Sequence, residues 1–131
     1  MLTVDATIEN LAAVTEFVDS FLEENDCPMK TQMQIDLALE EAYVNIANYA
    51  YGNETGKAEI GISKNGDEVT IVLKDGGIPY NPLEKKDPDT TLSAEEREIG
   101  GLGVFLVKKN MDSVFYEYRD GKNIFTMTKK I

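Results

Sequence analysis

Two apolar alternations joined by a glycine turn constrain this chain more than any other feature. Ala58, Ile60 and Ile62 recur at every second position, Asn65-Gly66 follows, and Val69, Ile71 and Leu73 alternate on the return. A period of two marks strands with one apolar face, and Asn-Gly between two such runs signals a type I′ hairpin. A hairpin of this kind has to be covered on its apolar side to persist in water. A second hairpin is expected near the C-terminus. Val114, Tyr116 and Tyr118 alternate, Asp120-Gly121 turns, and a strand runs from Ile124 to Ile131. Residues 2–6 suit a short first strand.

The cover comes from helical periodicity. Thr7 is a suitable N-cap with Glu9 in the first turn beyond it. Ile8, Leu11, Ala12, Phe17, Val18, Phe21 and Leu22 then mark the buried side of a first helix. Cys27-Pro28 interrupts it, because the residue before proline disfavours helical geometry. The second helix is predicted from Lys30 to Tyr51, with Leu39, Ala42, Ile46 and Ala50 as its apolar stripe. A third is opened by Gly100-Gly101-Leu102-Gly103 and runs from Val104 to about Met111, with Lys108-Lys109 near its end.

Residues 80–99 lack periodicity and carry Asn81-Pro82, Asp87-Pro88-Asp89 and Glu95-Glu96-Arg97-Glu98. Polar loops of that length in a small domain are functional lids or disordered. The order β-α-α-β-β-lid-α-β-β predicts an α+β two-layer sandwich: a mixed, largely antiparallel sheet covered on one face by three helices. Residues 1–131 read as a single domain.

Charge and composition exclude several functions. With 13 Lys and Arg against 24 Asp and Glu, the formal net charge is −11, opposite to the basic surface that nucleic-acid binding needs. A phosphate ligand would have to be held locally, by backbone N–H groups, a metal ion or a few placed cations. There is no histidine, so serine-histidine hydrolysis and self-contained histidine phosphorylation are excluded. The one cysteine, Cys27, forbids an internal disulfide and fits a reducing cytoplasm. No basic-then-apolar N-terminal segment suggests a signal peptide, and no apolar run reaches the roughly 20 residues of a membrane span.

Three short patterns carry candidate chemistry. Glu41 and Asn45 lie four apart on the second helix and project from one side. A solvated helix face explains them; so does a carboxylate that accepts a hydroxyl proton beside an amide that ligates Mg²⁺. Asp75 ends a strand at Asp75-Gly76-Gly77-Ile78-Pro79. It is an ordinary Asp-Gly turn, or an acceptor for an exocyclic amine such as that of adenine, with Gly77 letting the base approach. Gly101 and Gly103 open a helix. They make a tight turn, or expose backbone N–H groups to a phosphate.

The three patterns together resemble a family. Glu41-x-x-x-Asn45, Asp75-x-Gly77-x-Pro79 and Gly101-x-Gly103 look like the asparagine box and the two glycine boxes of the Bergerat-fold (GHKL, histidine-kinase-like) ATPases. Within that group the chain most resembles the bacterial anti-sigma factor serine/threonine kinases of RsbW and SpoIIAB type. The run from Glu95 through Gly100-Gly101-Leu102-Gly103 to Lys109, followed by Met111-Asp112, is close to that subfamily's pattern, and the resemblance spans almost the whole chain.

The resemblance implies a Bergerat ATPase fold with an ATP lid at about 80–100. It implies ATP and Mg²⁺ as cofactors, with Glu41 as catalytic base and Asn45 holding the metal. Asp75 and Gly77 would bind adenine. Gly101, Leu102 and Gly103 would contact the phosphates, and Arg97 would reach the γ-phosphate. Asn48 and Tyr49 occupy further nucleotide-binding positions. Thr126 would lie near adenine, although Lys122-Asn123-Ile124 replaces the usual Gly-Thr-Thr lead-in. The implied function is an ATP-dependent kinase acting as an anti-sigma factor. It would phosphorylate a STAS-type anti-anti-sigma partner and sequester a sigma factor, as a cytoplasmic homodimer without direct nucleic-acid or membrane contact. Two alternatives are a partner-switching module that binds nucleotide without chemistry, and an isolated catalytic subunit acting on another protein's histidine.

Overall fold

A computed structural model describes residues 1–52, 54–84 and 101–131, with residues 84 and 101–103 described in their backbone alone. The elements are β1 (Leu2–Asp5), a 3₁₀ turn (Ile8–Asn10), α1 (Leu11–Glu24), α2 (Met29–Tyr49), β2 (Lys57–Asn65) and β3 (Glu68–Asp75). A second 3₁₀ turn (Pro82–Glu84), α3 (Gly101–Asn110), β4 (Ser113–Arg119) and β5 (Lys122–Lys130) complete them. The strands form one sheet in the order β1-β2-β3-β5-β4. All four described pairings are antiparallel, so the sheet expected to be mixed is antiparallel throughout its described part.

Both hairpins form, with a shift in the first. The β2–β3 register pairs Asn65 with Glu68, which leaves Gly66-Asp67 as the loop rather than Asn65-Gly66. Of these two only Gly66 has positive φ, at 65°. Positive φ at the first loop position alone is the pattern of a type II′ turn, not I′. In the β4–β5 hairpin both loop residues, Asp120 and Gly121, have positive φ (55° and 77°), as a type I′ turn requires.

Helix α1 starts later than the sequence suggests. Thr7 sits in extended geometry before a 3₁₀ turn and makes no side-chain cap. The α1 residues that reach full burial are Val14, Val18 and Leu22, at four-residue spacing. They meet Ile35, Leu39 and Tyr43 of α2 and, beneath both, Ile60, Ile71, Leu73 and Met127 of the sheet. The Tyr43 hydroxyl donates to the carbonyls of Thr7 (2.7 Å) and Asp5 (3.1 Å). It thereby ties β1 to the middle of α2.

The α1–α2 seam contains an acidic pair. Asp19 Oδ1 and Asp36 Oδ1 are both buried without a hydrogen-bond donor among the described residues. The two carboxyls lie within hydrogen-bonding reach if one carries a proton. Burial, the Asp19 hydrogen bond, and the charges of Asp19 and Glu23 push the Asp36 carboxyl up to about 8.

Candidate nucleotide site

The site is a cleft between the C-terminal half of α2 and the sheet. From α2 come Glu41, Ala42, Asn45, Ile46, Tyr49 and Ala50, one side of the helix at spacings of one, three and four. The sheet contributes Leu73 and Asp75 from β3, Asn123 and Phe125 from β5, and Tyr116 from β4. Ile78, Tyr80 and Pro82 close one end and Val104 and Val107 of α3 another. Apolar walls with a few convergent polar groups are the usual make-up of a small-molecule pocket.

Strand pleating puts Asp75 there. It follows Val69, Ile71 and Leu73 on the covered face and is 6% exposed. The β3–β5 register sets it opposite Asn123. Asp75 Oδ1 accepts from the Gly77 N–H and from Asn123 Nδ2, each at 3.0 Å. Burial pushes the Asp75 carboxyl up, and these two bonds oppose that shift. Among the described residues Oδ2 has no partner.

The turn after Asp75 is fastened to the end of α2. A Cβ on Gly77 would lie 2.1 Å from the carbonyl oxygen of Ala50, and the Ile78 N–H donates to that oxygen at 2.9 Å. Gly77 is therefore needed for close approach to a helix end, whereas the sequence suggested approach to a base. Tyr51 adds a second tie: its hydroxyl accepts from the Gly76 N–H at 2.7 Å and donates to the Lys57 carbonyl at 2.5 Å.

Glu41 and Asn45 stand on the facing wall. Neither side chain makes a hydrogen bond or ion pair with another described residue. Burial first, and the neighbouring Glu40 second, push the Glu41 carboxyl above its ordinary range. An amide and a carboxylate one turn apart, both unpartnered beside a pocket, are available to a ligand. An Asn amide oxygen suits Mg²⁺, a hard ion that takes few protein groups.

The remaining expected residues divide. Tyr49 lines the cleft, but Asn48, which is exposed, does not. Thr126 is also outside the cleft. On β5 the covered face carries Asn123, Phe125 and Met127, so Thr126 lies on the opposite face, between Val72 and Phe115. Gly101, Leu102 and Gly103 form the first turn of α3, which continues into the wall residues Val104 and Val107. Arg97 and lid positions 85–100 lie outside the described residues.

Asn123 is what the sequence reading missed. Its Nδ2 donates to Asp75 Oδ1 and to the Ile78 carbonyl (2.9 Å); its Oδ1 accepts from the Tyr80 N–H (3.1 Å) and the Tyr116 hydroxyl. The available signal was an asparagine in phase with Phe125 and Met127 at a strand start.

Comparison with known proteins agrees with this geometry. The model of the histidine kinase-like ATPase domain matches residues 4–129. The anti-sigma F factor of Clostridium acetobutylicum is 30% identical over 122 residues, covering 93% of this chain and 84% of that protein. The serine/threonine-protein kinase BtrW of Bordetella bronchiseptica is 26% identical over 100 residues, covering 76% and 70%. The serine-protein kinase RsbW of Listeria monocytogenes is 30% identical over 102 residues, covering 74% and 64%. A family match over nearly the full length, on a chain whose two-layer fold gathers Glu41, Asn45 and Asp75 around one cleft, places this protein in the histidine kinase-like ATPase family.

Proposed function

We propose that this protein is an ATP-dependent serine/threonine protein kinase that acts as an anti-sigma factor. It phosphorylates a STAS-type anti-anti-sigma partner and, in the alternative complex, sequesters a sigma factor. The observation that carries the reading is the convergence, on one apolar-walled cleft, of three acceptors that have no partner among the described residues. These are the Glu41 carboxylate, the Asn45 amide oxygen and Asp75 Oδ2. The names of the relatives, which include both serine-protein kinases and anti-sigma factors, support the same assignment.

Each residue has a role set by its chemistry. Asp75 Oδ2 accepts a hydrogen bond from the exocyclic amine of adenine, while Leu73, Ile46 and Phe125 supply apolar contact to the base. Asn45 would hold Mg²⁺ through its amide oxygen, and the ion would supply charge neutralisation on the transferred phosphoryl group. The first-turn N–H groups at Gly101, Leu102 and Gly103 favour phosphate oxygens at the α3 N-terminus. Glu41 takes the proton from the attacking seryl or threonyl hydroxyl as its oxygen bonds phosphorus and ADP departs. A carboxyl held above its ordinary range is a better proton acceptor than an exposed glutamate. Arg97 would reach the γ-phosphate from the lid. The family resemblance further implies a cytoplasmic homodimer.

The test is phosphate transfer from labelled Mg-ATP to a cognate STAS protein. Wild type should give an acid-stable phosphoserine or phosphothreonine, and Glu41→Gln should bind nucleotide but transfer about 10²–10⁴-fold more slowly. An acid-labile product would reassign the acceptor to histidine. Nucleotide binding with no transfer to any cognate partner would leave a partner-switching module without chemistry.

A further inference from the structure

The Asn123 amide is saturated. Both its hydrogens are donated, to Asp75 Oδ1 and the Ile78 carbonyl, and its oxygen accepts from the Tyr80 N–H and the Tyr116 hydroxyl. It is 6% exposed. An asparagine so occupied has nothing left with which to bind a ligand, although it lines the cleft. What it does instead is fix its neighbour. A free carboxylate can present either oxygen to a ligand, in a range of orientations. In Asp75 one oxygen is taken twice, by Gly77 and by Asn123, so among the described residues a single oxygen of fixed direction remains.

We propose that Asn123 is the positioning residue that sets base selectivity: by holding Asp75 Oδ1 it leaves Oδ2 as a lone, directed acceptor, which selects a purine with an exocyclic amine over one with a carbonyl at the same position. This rests on the nucleotide reading above. An amine at that edge donates to Oδ2. A carbonyl there sets two acceptors against each other in a buried site, and sites built around one hydrogen bond reject the mismatched analogue strongly. The Asn123 bond also favours the ionised form of Asp75, which has no proton to offer a carbonyl. Without it, burial acts on Asp75 with only Gly77 opposing. A protonated carboxyl can then donate to the wrong base, and a rotated one no longer presents a directed acceptor.

The experiment compares Mg-ATP with Mg-inosine triphosphate, which differ at that purine edge, by calorimetric titration. Wild type should prefer ATP by about 100-fold or more. Asn123→Ala should cut the preference at least tenfold. Asn123→Ser, which keeps one donor, should recover part of it. A folded Asn123→Ala protein with the wild-type ratio would overturn the proposal. So would equal affinity of wild type for the two nucleotides, a result that needs no variant. Wild type that binds neither nucleotide refutes the functional assignment itself.

Discussion

Replacing Asp36 by Asn should stabilise this protein, and the gain should grow with pH. Asp36 and Asp19 place buried, donorless oxygens against each other across the α1–α2 seam. Glu23 adds like charge from α1, and the Cys27 thiol, pushed up by burial and by Asp36, lies nearby. The folded-state pKa of Asp36 is raised to about 8 from an ordinary 3.8. The sign follows from linkage: the folded chain keeps a proton that the unfolded chain gives up. The stabilising contribution is complete below pH 3.8, fades as pH rises through the window, and is gone above about 8. An amide at position 36 donates to Asp19 Oδ1 without needing a proton. Restoring a donor to a buried acceptor is worth about 1–3 kcal/mol. Partial solvent screening of the pair argues for the lower half of that range. Asp36→Asn should therefore gain about 1–2 kcal/mol at pH 7, a Tm rise of roughly 3–8 °C for a chain of this size, more at pH 9 and almost nothing at pH 4. Urea unfolding at five pH values measures it. A difference that is constant with pH, or a loss of stability at pH 8–9, would refute the shared proton.

Other outcomes follow from particular contacts. Gly77→Ala drives a methyl into the Ala50 carbonyl and should cost about 1–3 kcal/mol in chemical unfolding, with weakened nucleotide binding because the Asp75 turn must move. Tyr43→Phe removes the hydroxyl held by Thr7 and Asp5 and should cost about 1–2 kcal/mol; amide exchange should rise in β1 before the rest of the sheet. Asn45→Ala should abolish the magnesium dependence of nucleotide-induced thermal stabilisation, which at 100 times Kd is about 2.7 kcal/mol in wild type. If that dependence survives, Asn45 is not the metal ligand.

The parts of the fold written in short-range periodicity were readable from the sequence. The second hairpin, the long α2 and its Glu41–Asn45 pair formed close to where alternation and helical spacing placed them, and the first hairpin formed with its loop one residue later. Two of the differences depended on which strand residue faces which. Thr126 is expected near adenine from the family resemblance, without a strand phase. The true phase runs through Asn123, Phe125 and Met127, and a one-residue change of phase exchanges the two faces of a strand. The Asp75–Asn123 pairing is a register between strands 48 positions apart, which no local window contains. Gly77 was singled out for a sound reason, close approach, but the approaching group is the end of α2. The acidic pair of the α1–α2 seam was invisible because its members sit on different helices.

The anchoring of the turn after β3 has a consequence for the chain between Leu83 and Gly101. On one side that chain is fastened by the Asn123–Tyr80 bond and by the Asn81 side chain on the Leu83 N–H; on the other it enters α3, whose Val104 and Val107 are buried. Both ends of the connection from Leu83 to Gly101 are therefore fixed by the folded body. The entropy of closing a loop grows only with the logarithm of its length, so doubling it costs about 0.6 kcal/mol. A change in the number of residues that join these two fixed ends should therefore have little effect on whether the domain folds.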